Sequence, residues 1–389
     1  MREAVIAGAA RTPVGKARGA LASVPAHELG VLAVNEAVKR AGIDPAEVDE
    51  LIFGNLFAAE YANMARVVGL ASVLPEGTPA LTLNRQCASS LTAFSIAAAM
   101  IVSGQADVVV TGGAESDSRR PYVMEKASQA WQMAPPKWAA LRAAPVDEDN
   151  VSMLETAENV ASMFGITREE CDAFSVESHR KAAAAWDAGR FDSQIVPVGV
   201  RGAKGQVSLF EKDESLRPGT DMEGLARLRP IIREDGVVTA GNSSPMNDGA
   251  GAVVVVEKSK AKALGLKVYA KFTAHAAAGL DPKLMGLGPV HAVRKLLEEA
   301  GRALGDIDLI EMNEAFASQS IGCIRELGMD TEKLNVNGGA IALGHPLAAT
   351  GSILLTKMVY ELERSGKQSG IVTFCAAGGQ GVAVLIERE

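Results

Sequence analysis

The sequence predicts an α/β fold made of two similar halves, on three observations. Short apolar runs rich in valine, isoleucine and leucine alternate with longer stretches of helical periodicity. Those runs are apolar at successive positions, as in Val108-Val109-Val110 and Val253-Val254-Val255-Val256, which fits strands covered on both faces. The last third of the chain then repeats the order of the first. At 389 residues the chain exceeds one ordinary core, so two or three domains are expected.

Taken in order, residues 4–10 read as a buried strand, followed by the loop Arg11-Thr12-Pro13-Val14-Gly15-Lys16. A helix is expected over 25–41, stopped by Gly42, with Asp44-Pro45 opening a new turn. Residues 48–54 read as a second strand. The stretch Leu81-Thr82-Leu83-Asn84-Arg85-Gln86-Cys87 ends a short apolar run and places a lone cysteine at the start of a long helix, apolar on most faces. Residues 106–113 read as a strand entering a glycine turn.

From about residue 116 the character changes. Arg119-Arg120-Pro121, Pro135-Pro136 and Asp147-Glu148-Asp149 mark an inserted, loop-rich segment. Two helices follow, over about 156–164 and 168–187, the second capped by Thr167 with Glu170 as its capping-box partner. A Gly-, Pro- and charge-rich stretch runs over 199–236, and 249–256 resumes a strand. Residues 307–313 echo 48–55, 333–337 echo 81–84, and 370–374 echo the strand after 107. The echoes keep one order at offsets of roughly 250–265 positions, which argues for two related halves whose equivalent loops face a shared cleft.

Composition narrows the function. A net charge of −8 offers no general attraction to nucleic acid or acidic membranes. No run is long enough to cross a bilayer, and residues 1–6 carry an early acid and no signal-length apolar stretch. Cys87, Cys171, Cys323 and Cys375 form no CxxC pair, which points to reduced thiols in a cytoplasmic setting. No clustered metal-ligand pattern appears, so no metal is expected.

Four elements can carry chemistry. Cys87 at a helix start has two readings: a small core residue, or a nucleophile whose thiolate is favoured by the helix N-terminus. His345, between Gly344 and Pro346, either satisfies a loop hydrogen bond or takes a proton from a thiol. Cys375 opens the glycine-rich turn Cys375-Ala376-Ala377-Gly378-Gly379, as a structural cysteine or a second acid/base beside backbone N–H donors. Asn313, before Glu314-Ala315-Phe316, either caps a helix or fixes a water or substrate oxygen.

Together, and over essentially the whole chain, these motifs resemble the thiolase family, the acyl-CoA C-acyltransferases. Arg11-Thr12-Pro13 to Gly15, Thr156-Ala157-Glu158-Asn159 and Ala240-Gly241-Asn242-Ser243-Ser244 to Asp248-Gly249 belong to the same resemblance. It implies a thiolase fold, with two α/β halves in a five-layer αβαβα arrangement and an inserted loop domain. The expected division is 1–115 plus 248–268, then 116–247, then 269–389. It also implies that 3-ketoacyl-CoA is made or cleaved by Claisen chemistry. On that resemblance Cys87 would be the acylated nucleophile, His345 its base, Cys375 the second acid/base, and Asn313 the holder of a water that binds the enolate oxygen with His345. The resemblance also implies that the backbone N–H groups of Cys87 and Ala377 form the oxyanion site. Arg217 and Ser244 are implied CoA contacts, while Met153, Met285 and Phe316 line the acyl or pantetheine region. Coenzyme A is a co-substrate, no cofactor is held permanently, and a homodimer or homotetramer is expected, the latter through the inserted segment.

The sequence departs from the common pattern at Ser152, Leu154, Ala377, Ala348 and Ser90, without removing a catalytic side chain. Cys171, Cys323, His27, His179, His275 and His291 lack motif support and are expected to be inert. Two other classes remain: a carrier-protein-dependent condensing enzyme, against which the second thiol argues, and a non-catalytic CoA-ester-binding subunit.

Overall fold

The computed structural model describes residues 2–127, 129, 131, 137–139, 142–202 and 204–389. The first half runs β1 (Ala4–Arg11), β2 (Gly15–Lys16), α1 (Ala26–Ala41), β3 (Glu50–Gly54), α2 (Met64–Ala71), β4 (Ala80–Leu83), α3 (Ser89–Val102) and β5 (Val108–Ser116). The chain then leaves the sheet for α4 (Met153–Phe164), α5 (Arg168–Asp187), the hairpin β6 (Val198–Arg201) and β7 (Val207–Phe210), and α6 (Met222–Ala226). It re-enters the sheet as β8 (Asn247–Glu257), followed by α7 (Lys258–Ala263) and β9 (Ala270–Gly279). The rest is α8 (Gly288–Ala300), β10 (Leu309–Met312), α9 (Ala317–Leu327), α10 (Ala340–Leu343), α11 (Thr350–Ser365), β11 (Ser369–Ala376) and β12 (Gln380–Glu387).

Among the described residues the strands form a ten-stranded mixed sheet with two arms. One arm is ordered β1-β8-β5-β3-β4 and the other β9-β12-β11-β10. They join only where Val5 and Ile6 pair with Lys271 and Ala270. Both arms share one pattern: the first two neighbours are antiparallel and the third pairing is parallel. In the second arm, the counterpart of β4 shrinks to a single bridge between Ile310 and Leu334.

Strand periodicity builds the layers. Ile6, Ile52, Val109, Val253 and Val255 of one arm and Phe374, Val382 and Val384 of the other enclose Leu91 and Phe94 of α3 and Leu355 and Met358 of α11. The alternate positions Val5, Leu51, Phe53, Val108 and Val110 pack outward with α1. Ile310, Ile371, Ala383 and Leu385 pack outward with α8. Helices therefore cover both arms outside, and α3 with α11 fills the space between them: five layers. The helix ends follow the sequence. Gly42 closes α1 in the left-handed conformation, and Thr167 with Glu170 forms the capping box of α5.

Three expectations need correction. The strand at Val108 runs through Gly112 and Gly113 to Ser116 instead of ending in a glycine turn, because both glycines stay in the β5–β8 ladder. The helix after Cys87 starts at Ser89 with Ala88 as its cap residue, so Cys87 lies just outside it. The helix expected from 156 begins at Met153, because Ser152 and Glu155 form a capping box. Of the loop-rich markers, 117–119 and 147–149 are short 3-10 turns, while Pro135-Pro136 lies outside the described residues.

Phe94 is fully buried in the middle layer. Phe94→Ala is expected to cost about 3–5 kcal/mol, read as a lower urea midpoint. Leu264→Ala at the exposed end of α7 should stay within about 0.5 kcal/mol.

Candidate active site

The loop between β4 and α3 presents Cys87. Gln86 adopts φ 50°, a left-handed conformation that costs a side-chain-bearing residue about 1 kcal/mol or more. Neighbouring hydrogen bonds hold it there. Asn84 Oδ1 accepts from Gln86 N–H at 2.9 Å, and Ser89 Oγ accepts from Arg85 N–H at 2.9 Å and donates to the Gln86 carbonyl at 2.6 Å. The Cys87 thiol is pushed up to about 12, chiefly by burial and further by the charge of Glu115. Backbone N–H groups of Cys87 and Ala377 hydrogen-bond the sulfur and oppose that rise. The helix start therefore does not produce a resting thiolate; removal from water outweighs it.

Cys375 is the penultimate residue of β11 and buried. Its thiol is held well above the ordinary range by burial and then by the nearby Cys87 and Cys323 sulfurs. Met285 and Phe316 belong to the same apolar cluster as Cys375, with Met153 packed against it. The three expected lining residues thus converge on one thiol. Ser152 is spent on capping α4, accepting from Glu155 N–H at 3.2 Å.

His345 is buried, and its orientation is determined by its neighbours. The Thr350 hydroxyl donates to the Pro346 carbonyl at 3.0 Å, so its oxygen accepts from His345 Nδ1–H at 2.7 Å. The bare Nε2 then lies 3.3 Å from Asn313 Nδ2, which donates to it. Asn247 Oδ1 accepts from His345 N–H at 2.8 Å. Burial pushes the imidazole down to about 4, so it is neutral across the ordinary range. Asn313 Oδ1 is buried without a partner, an acceptor left open for a ligand or water. Asn313 does not cap a helix: the cap residue of α9 is Phe316, and Asn313 N–H donates to the Thr373 carbonyl at 3.0 Å. Asn313 and Cys375 therefore stand at the same end of the adjacent parallel strands β10 and β11.

Close backbone approach brings the His345 loop to the first arm. A Cβ on Gly113 would collide with the Ala348 carbonyl, and one on Gly249 would press on Pro346 Cγ at 3.1 Å. Ser90 Oγ, three residues beyond Cys87, accepts from Ser352 N–H at 3.0 Å. Beneath the second arm, buried Glu314 accepts from Ser178 Oγ, Asn335 Nδ2 and Ile341 N–H at 2.7, 2.8 and 3.2 Å, bracing the segment that leads to His345.

Arg217 and Ser244 are not members of the Cys375 cluster, although Ser244 borders it through Ala315. Arg217 is exposed and lines an open groove of roughly 300 Å³ with Lys16, His179, Ser215 and Ser243. Ser244 is half-buried and donates its N–H to the Ala315 carbonyl at 2.9 Å. Ile341, four residues before His345, also lines the groove. His179 Nδ1 accepts from Arg217 N–H at 3.3 Å. Cys171 and Cys323 are buried in the outer core of the second arm, Cys323 near enough to Cys375 to raise its thiol. Thr350, Asn247 and Glu115 escaped the sequence reading. Only Glu115 left a signal, as an acid within the apolar run that became β5.

Two neighbouring thiols, N–H groups at one sulfur and a neutral imidazole beside an open amide oxygen form a site chemically suited to thiol-based acyl transfer. The comparisons specify the family. The chain matches the model for the thiolase N-terminal domain over residues 4–259 and that for the thiolase C-terminal domain over residues 266–388. A Pseudomonas aeruginosa protein named acetyl-CoA acetyltransferase is 45% identical over 400 residues, covering 100% of both chains. A Bacillus subtilis protein named 3-ketoacyl-CoA thiolase is 46% identical over 398 residues, again covering 100% of both. The crystal structure of human mitochondrial 3-ketoacyl-CoA thiolase in complex with CoA superposes with a TM-score of 0.94 at 37% identity, covering 100% of this chain and 98% of that one. The chain belongs to the thiolase family.

Gly113→Val forces the Ala348 segment, and His345 with it, away from the first arm. The expected result is a folded protein with about 100-fold lower cleavage of acetoacetyl-CoA, since displacements near 1 Å cost that much.

Proposed function

We propose that the thiolase activity of this chain runs through Cys87, His345, Cys375 and Asn313. The observation that carries this reading is the oriented His345 imidazole beside Asn313, whose open Oδ1 stands at the same strand ends as Cys375, with the Cys87 sulfur nearby. In the cleavage direction His345 takes the Cys87 proton at Nε2, and the sulfur attacks the 3-keto carbon of a 3-ketoacyl-CoA. The bond between C2 and C3 breaks, leaving acyl-Cys87 and the enolate of acetyl-CoA. Cys375 protonates that enolate at carbon. A second CoA gives its thiol proton to the Cys375 thiolate and attacks acyl-Cys87, and the departing Cys87 sulfur recovers its proton from His345 as acyl-CoA is released. In the synthetic direction Cys375 removes the α-proton of acetyl-CoA, and the carbanion attacks acyl-Cys87.

The resting pair is a neutral thiol and a neutral imidazole, so ionisation belongs to the step in which substrate is present. N–H groups of Cys87 and Ala377 then stabilise the oxyanion of the acyl-enzyme steps. The open Asn313 Oδ1 accepts from a water that, with His345, binds the enolate oxygen. Met153, Met285 and Phe316 surround the acyl or pantetheine part, and Arg217 and Ser244 contact CoA. The Ala377 substitution keeps the N–H that this reading needs.

The same reading divides the chain into 1–115 plus 248–268, an inserted 116–247, and 269–389, supported by the departure after β5 and the return as β8. It includes a homodimer or homotetramer. β4 ends the first arm with Leu81 exposed, a free edge suited to a second copy, and the inserted segment displays Tyr122 and Trp138. Among the described residues no helix is long and apolar enough to cross a membrane. Four unpaired cysteines suit the reducing cytoplasm.

Incubation with acetyl-CoA followed by intact-mass measurement should add one acetyl group, mapped to Cys87 and lost in Cys87→Ser. His345→Ala should lower turnover about 10²–10⁴-fold, the usual worth of a positioned base. A wild type that neither acylates nor cleaves any member of a 3-ketoacyl-CoA length series would favour the non-catalytic CoA-ester-binding subunit instead. The same series fixes chain-length preference.

A further inference from the structure

The Asn247 side chain, buried at the first position of β8, lies between the open groove and the loop that carries the imidazole. Its Oδ1 accepts from His345 N–H at 2.8 Å. Its Nδ2 donates to the Gly15 carbonyl at 2.8 Å and to Ser215 Oγ at 3.1 Å. The amide has one orientation, because a main-chain N–H only donates and a carbonyl only accepts. Gly344 leaves room for it, since a Cβ there would meet Asn247 Cγ at 2.8 Å.

On its groove side the amide meets a fixed frame. Asp213 accepts from Arg11 Nη1 and Nη2 at 2.8 and 3.0 Å and from Val14 N–H at 2.8 Å. Glu214 N–H donates to the Val14 carbonyl at 2.8 Å, and its Oε2 accepts from Lys16 N–H at 2.8 Å. Residues 213–215 therefore lie clamped along 14–16, and Lys16 and Ser215 line the groove from that clamp. Because Ser215 Oγ accepts from Asn247, what it can offer a ligand is its hydroxyl proton. We propose that Asn247 is a positioning residue that registers the His345 main chain against the groove wall at Gly15 and Ser215, so that one amide holds both the imidazole and the wall that faces the bound CoA.

This rests on His345 being the base and on the groove being the CoA site. The two ends of the amide then have separable effects. Without the acceptor end, the buried His345 N–H loses its partner and the imidazole shifts, which lowers kcat. Without the donor end, His345 stays held while the groove wall loosens, which raises KM. Asn247→Asp keeps an acceptor for His345 N–H and loses both donors. Ser215→Ala removes only the groove hydroxyl. Asn247→Leu keeps the branched outline and has neither end.

The test is steady-state cleavage of acetoacetyl-CoA by CoA in these variants, with kcat expressed per enzyme that takes up an acetyl group from acetyl-CoA by intact mass. Ser215→Ala and Asn247→Asp should raise KM for CoA about three- to tenfold, the worth of a neutral hydrogen bond, with kcat within about twofold of wild type. Asn247→Leu should lower kcat about 100-fold, as a displacement near 1 Å does. In the His345→Ala background the same leucine should lower kcat less than about threefold, because its effect passes through the imidazole. An equal loss in both backgrounds overturns the proposal, as does a lower melting temperature with kcat and KM unchanged in all three variants. If Asn247→Leu does not fold, Asn247→Asp decides: a fall in kcat at unchanged KM has the same consequence. An unchanged kcat in His345→Ala alone overturns the base assignment, and the positioning role with it, in a measurement read separately from the Asn247 variants.

Discussion

The closeness of the His345 loop to the first arm of the sheet is the constraint on which the site depends. Cys87 and His345 sit on different halves, each in the loop before one of the two middle helices. Burying α3 and α11 between the arms brings those loops to the same end of the molecule, but only approximately. The last few ångströms come from missing side chains, because Ala348 occupies the space a Cβ on Gly113 would need and Pro346 packs on Gly249. Apolar burial supplies the driving force, and the glycines let backbone meet backbone.

The electrostatics follow from the same burial. A site dry enough to strengthen hydrogen bonds to an oxyanion also disfavours every resting charge, so both thiols are raised and the imidazole is lowered. The site consequently waits in neutral form, with its polarity stored in fixed N–H groups, an open amide oxygen and an oriented ring. Charges that do persist nearby are paired: Lys357 Nζ meets Glu311 at 2.7 Å and the Gly338 carbonyl at 2.8 Å, beneath the loop leading to His345. A buried pair of this kind contributes little net stability but leaves few alternatives for the loop it braces.

Internal duplication gives the arrangement its division of labour. The ends of the paired parallel strands carry Asn313 and Cys375 in one arm and Asn55 and Glu115 in the other, with Cys375 on the outward face of Ile371 and Glu115 on the inward face of Val109. The second arm thereby carries open polar atoms and a thiol. The first carries a pair whose amide and carboxylate are hydrogen-bonded to each other and to backbone. One architecture, used twice, provides reactive groups on one side and a frame for them on the other.

Strand and helix identity was written in local pattern. The successive apolar positions of β5 and β8, Gly42 after α1 and the Thr167–Glu170 capping box each act within a few residues of themselves, so one sequence suffices to read them. The residue types of the site were legible for the same reason, as cysteines and a histidine set in glycine-rich turns. The acidity of Cys87 was not legible, because burial by residues from both halves overrides the local helix start. The tautomer of His345 was decided by Thr350, and its docking by Gly113 and Gly249, residues 232 and 96 positions earlier (345 − 113 and 345 − 249). Those contacts join groups remote in the chain, and only the closed tertiary structure brings them within hydrogen-bonding and van der Waals range.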